Sequence, residues 1–440
     1  MEEEFHNHMR IPWHDYTRKS IGHPITEASL SEKASIIGRT GIMLLSCGTG
    51  AWRVRSSMNT LARELGITCT ADIGLLSIEY TCIDGGNCYT ESLCLFNTGV
   101  NTSKLYRMEE FVNKFAENCK KMSGDELHTL LDRIHEIHGF YSPPFLGLAA
   151  AVACCAFTFL LGGGPVEMLC AFLGAGAGNY LRAKMNQHHL TLFLCTAASV
   201  ALACIVYTIA FMTLRSCFDI SIHHQAGYIC SMLFIIPGFP FITSGIDLAK
   251  LDMRSGLERL TYAVIIIAVA TLAAWMLALV LHLKPMDFLP LNLSKSEYLV
   301  LRLIASFFGV LGFSMMFNSP LRLAATAGII GAIANTTRLE LVDLASFPPS
   351  AAAFLGALLA GLLASMIKTS IGYPRISLTV PSIVIMVPGL YLYRAIYNIG
   401  ITSINTGAFW FTEALLIIMA LPLGLIFARI ITDKTFRRCS

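Results

Sequence analysis

Ser231-Met-Leu-Phe-Ile-Ile-Pro237-Gly238 and Ser382-Ile-Val-Ile-Met-Val-Pro388-Gly389 are stretches of one chain that align without a gap at an offset of 151 residues. The likeness continues from Ser255-Gly256 to Thr406-Gly407, and from Thr261-Tyr-Ala263 to Thr412-Glu-Ala414. Proline removes a helix hydrogen bond and its ring clashes with the preceding turn, so Pro-Gly breaks a helix. Each break falls inside an apolar stretch long enough to cross a bilayer. Duplicated, interrupted membrane helices mark a secondary transporter whose site lies between two repeats.

Composition agrees. The chain is 55% hydrophobic and 14% charged, with a mean hydropathy of +0.61, far from the usual soluble mixture. From Phe145 onward, apolar stretches of about 20 residues follow one another, the length that spans a ~30 Å hydrocarbon core. Ten spans are predicted: 144–162, 165–182, 190–213, 226–247, 258–283, 298–317, 320–337, 350–368, 380–400 and 406–431. The acidic start, Met1-Glu-Glu-Glu, does not read as a signal peptide. Lys and Arg flank the predicted spans fourteen to six in favour of the side holding the N-terminal region, which predicts both termini inside. The net charge of +3 then reflects membrane orientation and not nucleic-acid binding.

The Pro-Gly spans are the fourth and ninth, so each copy holds five spans. An odd number forces the copies into opposite orientations, an inverted repeat. Gly164-Pro165 and Ser319-Pro320, which open the second and seventh spans, support the pairing, as do Arg182 and Arg338 near their ends. The expected fold is a polytopic α-helical membrane protein with ten transmembrane helices as two inverted five-helix repeats, preceded by a small α/β cytoplasmic domain. Its parts are a flexible tail (1–30), the α/β domain (31–142), and the repeats 143–285 and 286–440.

Within the soluble part, a helix is predicted from Ser31 towards Gly66 with an interruption at Gly48 and Gly50. Strand-like runs follow at 67–70, 75–83 and 88–97. Asp84-Gly85-Gly86-Asn87 is a hairpin signal, because its glycines can take the positive φ of tight turns. Polar helices are predicted at 108–122 and 124–137. His6, His8 and His14 lack a ligand set at metal spacing. The 14 cysteines contain no CxxC pair, so zinc is not expected. No GxSxG, HExxH, Walker or GxGxxG pattern is present in its required context. Glu79, Asp84 and Glu91 read as solvated face residues, and no spacing pairs Ser46 or Cys47 with a histidine. An enzyme is therefore not expected, and neither a cofactor nor a metal.

At this point the chain resembles the threonine/serine exporter family, including its split two-protein form associated with succinate export. Ser46-Cys-Gly48-Thr-Gly-Ala-Trp-Arg53-Val54 is similar to that family's Ser-Gly-Ala…Arg-Val-Glu helix, with Arg55 in place of the glutamate. Gly99-Val100-Asn101…Leu105 resembles its Gly-Val-Asn…Leu step. Pro237-Gly238-Phe-Pro240-Phe-Ile-Thr243-Ser244-Gly-Ile-Asp247-Leu resembles the first-half signature, with Thr243 and Ile246 replacing an Asn and an Arg. Val387-Pro388-Gly389-Leu-Tyr-Leu-Tyr393-Arg394 resembles the second-half signature. The resemblance covers about 400 residues. It implies export of small polar metabolites driven by an ion gradient, with the N-terminal domain in the cytoplasm.

Arg394 is the most informative membrane residue, since a charge in an apolar span needs a cavity or a partner. Its planar fork suits a carboxylate; the structural alternative is a pair with Asp247, Glu413 or helix-end carbonyls. Thr243 is its counterpart in the repeat, beside Ser244. The expected substrate-binding set is Arg394, Tyr393, Thr243, Ser244, Pro237, Gly238, Pro388 and Gly389, with Asp247 for proton coupling. Asn179 and Asn335 read equally as helix–helix glue. The expected function is export of threonine/serine-type amino acids by ion-coupled antiport, the ion being a proton. A dicarboxylate exporter and a membrane-anchored hydrolase or sensor are the alternatives. The expected location is the plasma (inner) membrane, and a homo-oligomer is compatible with the sequence.

Overall fold

The computed structural model describes residues 11–17, 22–137, 139–218, 220–434 and 436–437, and divides into two compact units. His6 and His8 lie outside the described residues. The first unit combines the N-terminal region up to residue 138 with Leu251–Ser255.

In the first unit, Ser29 caps α1 (Leu30–Ser46), its side chain accepting from the Glu32 N–H. The expected interruption follows: Gly48 takes a φ of 85°, and α2 (Ala51–Glu64) begins after Gly50. Strands β1 (Thr68–Ile73), β2 (Ser77–Asp84) and β3 (Asn87–Cys94) form an antiparallel sheet in that order. Gly85 and Gly86 make the two-residue connection with φ of 53° and 90°, the two positive values a type I′ hairpin turn requires. Asn101 caps α3 (Thr102–Asn118), and Ser123 with Glu126 forms a capping box on α4 (Gly124–His135). α1 is buried from Glu32 to Leu45 and touches α2, β2, β3, α3 and α4. It is the core of the unit.

Within the stretch expected as a flexible tail (1–30), the described residues are 11–17 and 22–30, and several of them are packed. Thr17 and Ile25 are buried, and Tyr16 donates a 2.8 Å hydrogen bond to Glu91. Glu91 also accepts from Tyr80 at 2.7 Å, so it holds two tyrosines and is not merely a solvated face residue.

The second unit is helical. Pro143 and Pro144 open α5 (Pro143–Leu160), where missing N–H groups cost nothing. Then come α6 (Pro165–Gln187), α7 (Leu192–Phe218), a 3₁₀ segment (Ile222–Ile235), α8 (Gly238–Ala249) and α9 (Met253–Val280), whose residues up to Ser255 count with the first unit. The later half holds α10 (Lys295–Met316), α11 (Leu321–Ala345), α12 (Pro349–Ile371), α13 (Arg375–Val384), α14 (Gly389–Gly400) and α15 (Ile404–Thr432). Six of these, α5, α7, α9, α10, α12 and α15, are long and apolar enough to cross a membrane; the bent pairs at the two Pro-Gly sites bring the number to eight. The predicted second and seventh spans form helices of 23 and 25 residues, α6 and α11, but carry too many polar residues to meet that standard. The molecule is a multi-pass helical membrane protein.

Small residues set the packing, as expected where helices cannot rely on water to drive them together. α5 meets α10 where Gly312 lies against Ala149 and Ala153, and Phe157 packs edge-on to Phe313 at 6.4 Å. Asn179 on α6 donates to the Leu146 carbonyl of α5 at 2.7 Å; Asn335 on α11 donates to Ser306 Oγ of α10 at 2.9 Å. Ser231 packs on Gly174 of α6, and Ser382 packs on Gly331 of α11. The same devices recur in the same order in both halves.

Candidate functional site

The two breaks have one geometry. Pro237 has φ −80° and ψ 61°, and Pro388 has φ −82° and ψ 57°. Gly238 N–H donates to the Ile236 carbonyl at 2.8 Å, and Gly389 N–H donates to the Val387 carbonyl at 2.9 Å. These are inverse γ-turns centred on proline, whose fixed φ suits them. The spans bend by 54° and 48° there.

The breaks also pack on each other. A Cβ on Gly238 would collide with Val384, and one on Gly389 would collide with Ile236. α8 lies beside α13, and α14 beside the 3₁₀ segment, so each half-span meets the opposite half of the other. Pro237, Gly238, Pro388 and Gly389 are thereby brought together.

The remaining predicted residues diverge from that point. Tyr393 is fully buried, and its hydroxyl lies 2.6 Å from that of Tyr228 on the 3₁₀ segment. Arg394 pairs with Asp287 at 2.7 Å and lies over the Trp410 ring at 4.9 Å. Its side chain is 12% exposed, whereas Asp287 is 90% exposed. The counterion is therefore neither Asp247 nor Glu413. Thr243 bonds back to the Phe239 carbonyl of its own helix at 3.0 Å, and Ser244 donates to the Gly256 carbonyl at 2.7 Å. Asp247 forms a buried pair with Arg259 at 3.3 Å. Because α8 and α14 leave the crossing beside different partners, Thr243 and Arg394 occupy equivalent register positions without facing each other.

Sequence reasoning misses a second polar cluster. Glu167 on α6 is buried; its Oε2 accepts from the Gly164 N–H at 3.0 Å, and its Oε1 lies 2.7 Å from His224 Nδ1. Tyr207 on α7 donates to the His224 carbonyl at 2.6 Å. The only local signal is Gly164-Pro165-x-Glu167, which reads as a helix cap. Arg338 on α11 has a buried Nε without a hydrogen-bond partner among the described residues; its Nη1 reaches Asn335 at 3.3 Å.

The first unit contains a different cluster. Arg39 on α1 is buried and donates to the His128 carbonyl at 3.0 Å and to Asp132. His14 is held between Asp125 at 2.6 Å and Asp132 at 2.7 Å, and those hydrogen bonds, Asp125 first, raise its pKa. Burial, then the charge of Arg39, pushes His128 down to about 3. His128 Nε2 lies 3.0 Å from Ser35 Oγ, a pair that invites a nucleophile–base reading. However, Arg39 Nη1 lies 3.2 Å from His128 Nδ1 and can only donate, so the proton sits on Nε2 and Ser35 cannot pass its own there. Ser35 donates to the Glu32 carbonyl instead, at 2.8 Å. Ser46 donates to the Met43 carbonyl, and Cys47 is buried with its pKa raised to about 12 by burial. Among the described residues no group of three His, Cys, Asp or Glu could hold a metal ion. Arg55 pairs with Asp252, and Arg254 with Asp72, all within this unit.

The ThrE family model matches residues 35–282, and a second model, described as threonine/serine exporter, ThrE, matches residues 302–431. The gap between them falls on the connection from α9 to α10 and the start of α10. The chain is 25% identical over 245 residues to the "Probable succinate transporter subunit YjjP" of Escherichia coli K12, a match covering 53% of this chain and 91% of that protein. No solved structure matches it. With matched segments on both sides of that junction, this chain belongs to the threonine/serine exporter family.

Proposed function

We propose that the protein exports small carboxylate-bearing metabolites, threonine and serine foremost, in exchange for protons, through a path at the crossing of its two broken spans. The observation that carries this reading is the crossing itself: two spans broken by the same proline-centred turn, each half packed on the opposite half of the other. Such breaks place helix ends and freed backbone groups inside a membrane, where transporters use them to hold substrate and ion. Counting α6 and α11 gives ten spans. The recurrence of the Asn and Ser–Gly devices supports two five-helix halves, which the odd count makes inverted. In this reading the N-terminal unit and both termini are cytoplasmic, the membrane is the plasma membrane, and the N-terminal unit regulates transport without performing chemistry.

Arg394 supplies the carboxylate clamp. Its present counterion, Asp287, is an exposed residue of the α9–α10 connection, and an exposed partner of this kind holds an arginine weakly. A substrate carboxylate can displace it. Tyr393, tied to Tyr228 of the other broken span, fixes the helix that carries Arg394. A dicarboxylate such as succinate is the second reading. It is favoured by Arg338, a further guanidinium on α11 whose buried Nε has no hydrogen-bond partner among the described residues, and by the name of the relative.

Uptake of labelled threonine, serine and succinate into proteoliposomes, with and without an imposed pH gradient, tests the function. Gradient-stimulated flux of threonine or serine supports the first reading, and of succinate alone the second. Flux of none overturns both. Arg394→Lys keeps the charge but loses the fork, and should raise half-saturation about tenfold. Labelling of an introduced Ser294→Cys by an impermeant reagent on whole cells tests the orientation; protection there with access at the C-terminus would refute it.

A further inference from the structure

We propose that the Glu167–His224 pair is the proton-binding element of the transport cycle. The inference rests on the antiport reading above and assigns its coupling site.

Glu167 is 1% exposed, and its carboxylate is fully used: one oxygen caps α6 through the Gly164 N–H, the other meets His224 Nδ1 at 2.7 Å. His224 is 19% exposed, so the imidazole lies between the buried carboxylate and the surroundings and gives protons a route. Imidazole is the side chain that ordinarily gains and loses a proton near neutral pH. Ionisable residues at membrane depth serve proton relays in pumps and transporters. The acid of the first broken span itself, Asp247, pairs with Arg259, and an arginine does not give up its proton. That pair therefore cannot pass a proton between its members. Glu167–His224 can.

Its placement links protonation to the broken span. His224 belongs to the 3₁₀ segment Ile222–Ile235, while Glu167 belongs to α6. A Cβ on Gly227 would lie 2.9 Å from Glu167 Cβ and Cγ, so the segment presses directly on the glutamate. A 14-residue 3₁₀ run is long, since its poorer hydrogen-bond geometry seldom persists beyond a few residues. One turn further on, Tyr228 joins this segment to Tyr393, next to Arg394. The pair and the carboxylate clamp thus sit on two elements in direct contact. The titratable groups beside the pair include Tyr207 from α7, whose hydroxyl meets the His224 carbonyl, Cys170 one turn along α6 from Glu167, and Cys230 two turns along the 3₁₀ segment from His224. None of these is a second carboxylate.

Binding a proton on the carboxylate raises the net charge of the pair by one and converts it to a carboxylic acid beside the imidazole. No covalent bond other than that O–H forms. A hydrogen bond with an ionised partner is about twice as strong as a neutral one. Proton gain by the carboxylate therefore loosens the 3₁₀ segment from α6, and proton loss reattaches it.

The test uses the full chain and two readouts. Infrared titration of the purified protein should show a carboxylic-acid C=O band that grows on acidification and is missing in Glu167→Gln, which keeps the size of the side chain and an oxygen for the cap. In proteoliposomes with the labelled threonine, serine and succinate probes, one coupled proton makes the accumulation ratio change about tenfold per pH unit. That dependence should fall to about one in Glu167→Gln, whereas Asp247→Asn should lower the rate and keep the shape of the pH profile. If the band persists in Glu167→Gln, or if that variant keeps the wild-type dependence, the assignment is wrong while antiport stands. If the wild type shows no response to the gradient with any probe, antiport and the coupling assignment fall together.

Discussion

The first broken span approaches its proline as a 14-residue 3₁₀ segment, and the second does so as a ten-residue α-helix, although the turns at Pro237 and Pro388 differ by only a few degrees. Their polar partners differ more. The first carries Glu167–His224 at one end and Asp247–Arg259 at the other; the second carries Arg394 with an exposed counterion. The turn is a local backbone event, fixed by the φ of proline and by the room glycine leaves. The chemistry depends on side chains brought in from other helices. Under the reading proposed above, the duplicated backbone carries two tasks, proton binding on one copy and carboxylate binding on the other.

If the shared turns truly lock together, the largest effect belongs to the glycine at the crossing. Gly389→Val would drive a side chain into Ile236, and such overpacking costs about 1–3 kcal/mol or more. Transport should be abolished and the melting temperature lowered; a variant with wild-type flux would show that the breaks do not stay in contact during the cycle. Tyr393→Phe sharpens the link between the spans. It leaves the buried Tyr228 hydroxyl without its 2.6 Å partner, a loss of about 1–3 kcal/mol. Turnover should slow more than half-saturation changes, because the tie sets the position of Arg394; an unchanged rate would separate the two spans functionally.

Asp287→Asn probes the displaceable counterion. Substrate half-saturation should fall, by no more than about fivefold, the reach of an exposed ion pair. A rise would mean that Asp287 belongs to the substrate site and is not its competitor.

The smallest effect lies in the N-terminal unit, whose polar cluster behaves differently from those of the spans. Folded His128 stays neutral, since burial and Arg39 push it to about 3, whereas the unfolded imidazole takes up a proton near 6.5. The unfolded state then binds more protons, and stability falls as pH drops below about 6.5. His14 acts oppositely: its raised pKa stabilises the fold below the unfolded value, and that contribution is lost as pH rises through the folded one. His14 is 45% exposed, so the buried His128 dominates. The midpoint of thermal unfolding of this unit, followed by tryptophan fluorescence in the full chain, should fall by a few degrees between pH 7.5 and 5.5, about what 1 kcal/mol yields. A rise would reverse the ranking of the two histidines.

Much of the fold is legible in the chain because it depends on neighbours in sequence. Pro237-Gly238 and Pro388-Gly389 break their helices wherever those helices sit. Gly85-Gly86 makes its hairpin from its own φ values. The apolar runs give span positions to within a few residues, except where α6 and α11 mix polar residues into a length sufficient to cross. Arg394 stands out because a lone charge among apolar residues demands an explanation. Its partner does not stand out, because Asp287 lies 107 residues earlier in a connection with no pattern of its own.

What the sequence by itself determined is therefore the class of the molecule: a membrane chain in two halves, each broken once by the same turn, with one arginine worth asking about. Backbone stereochemistry and hydropathy act over a few residues, so they can be read in order along the chain. Only the tertiary structure decided which charges meet. Helix packing set Glu167 against His224, closed Asp247 onto Arg259 and turned Thr243 back to its own helix. Each of those pairings depends on the rotation and depth of separate helices, quantities that no single segment carries.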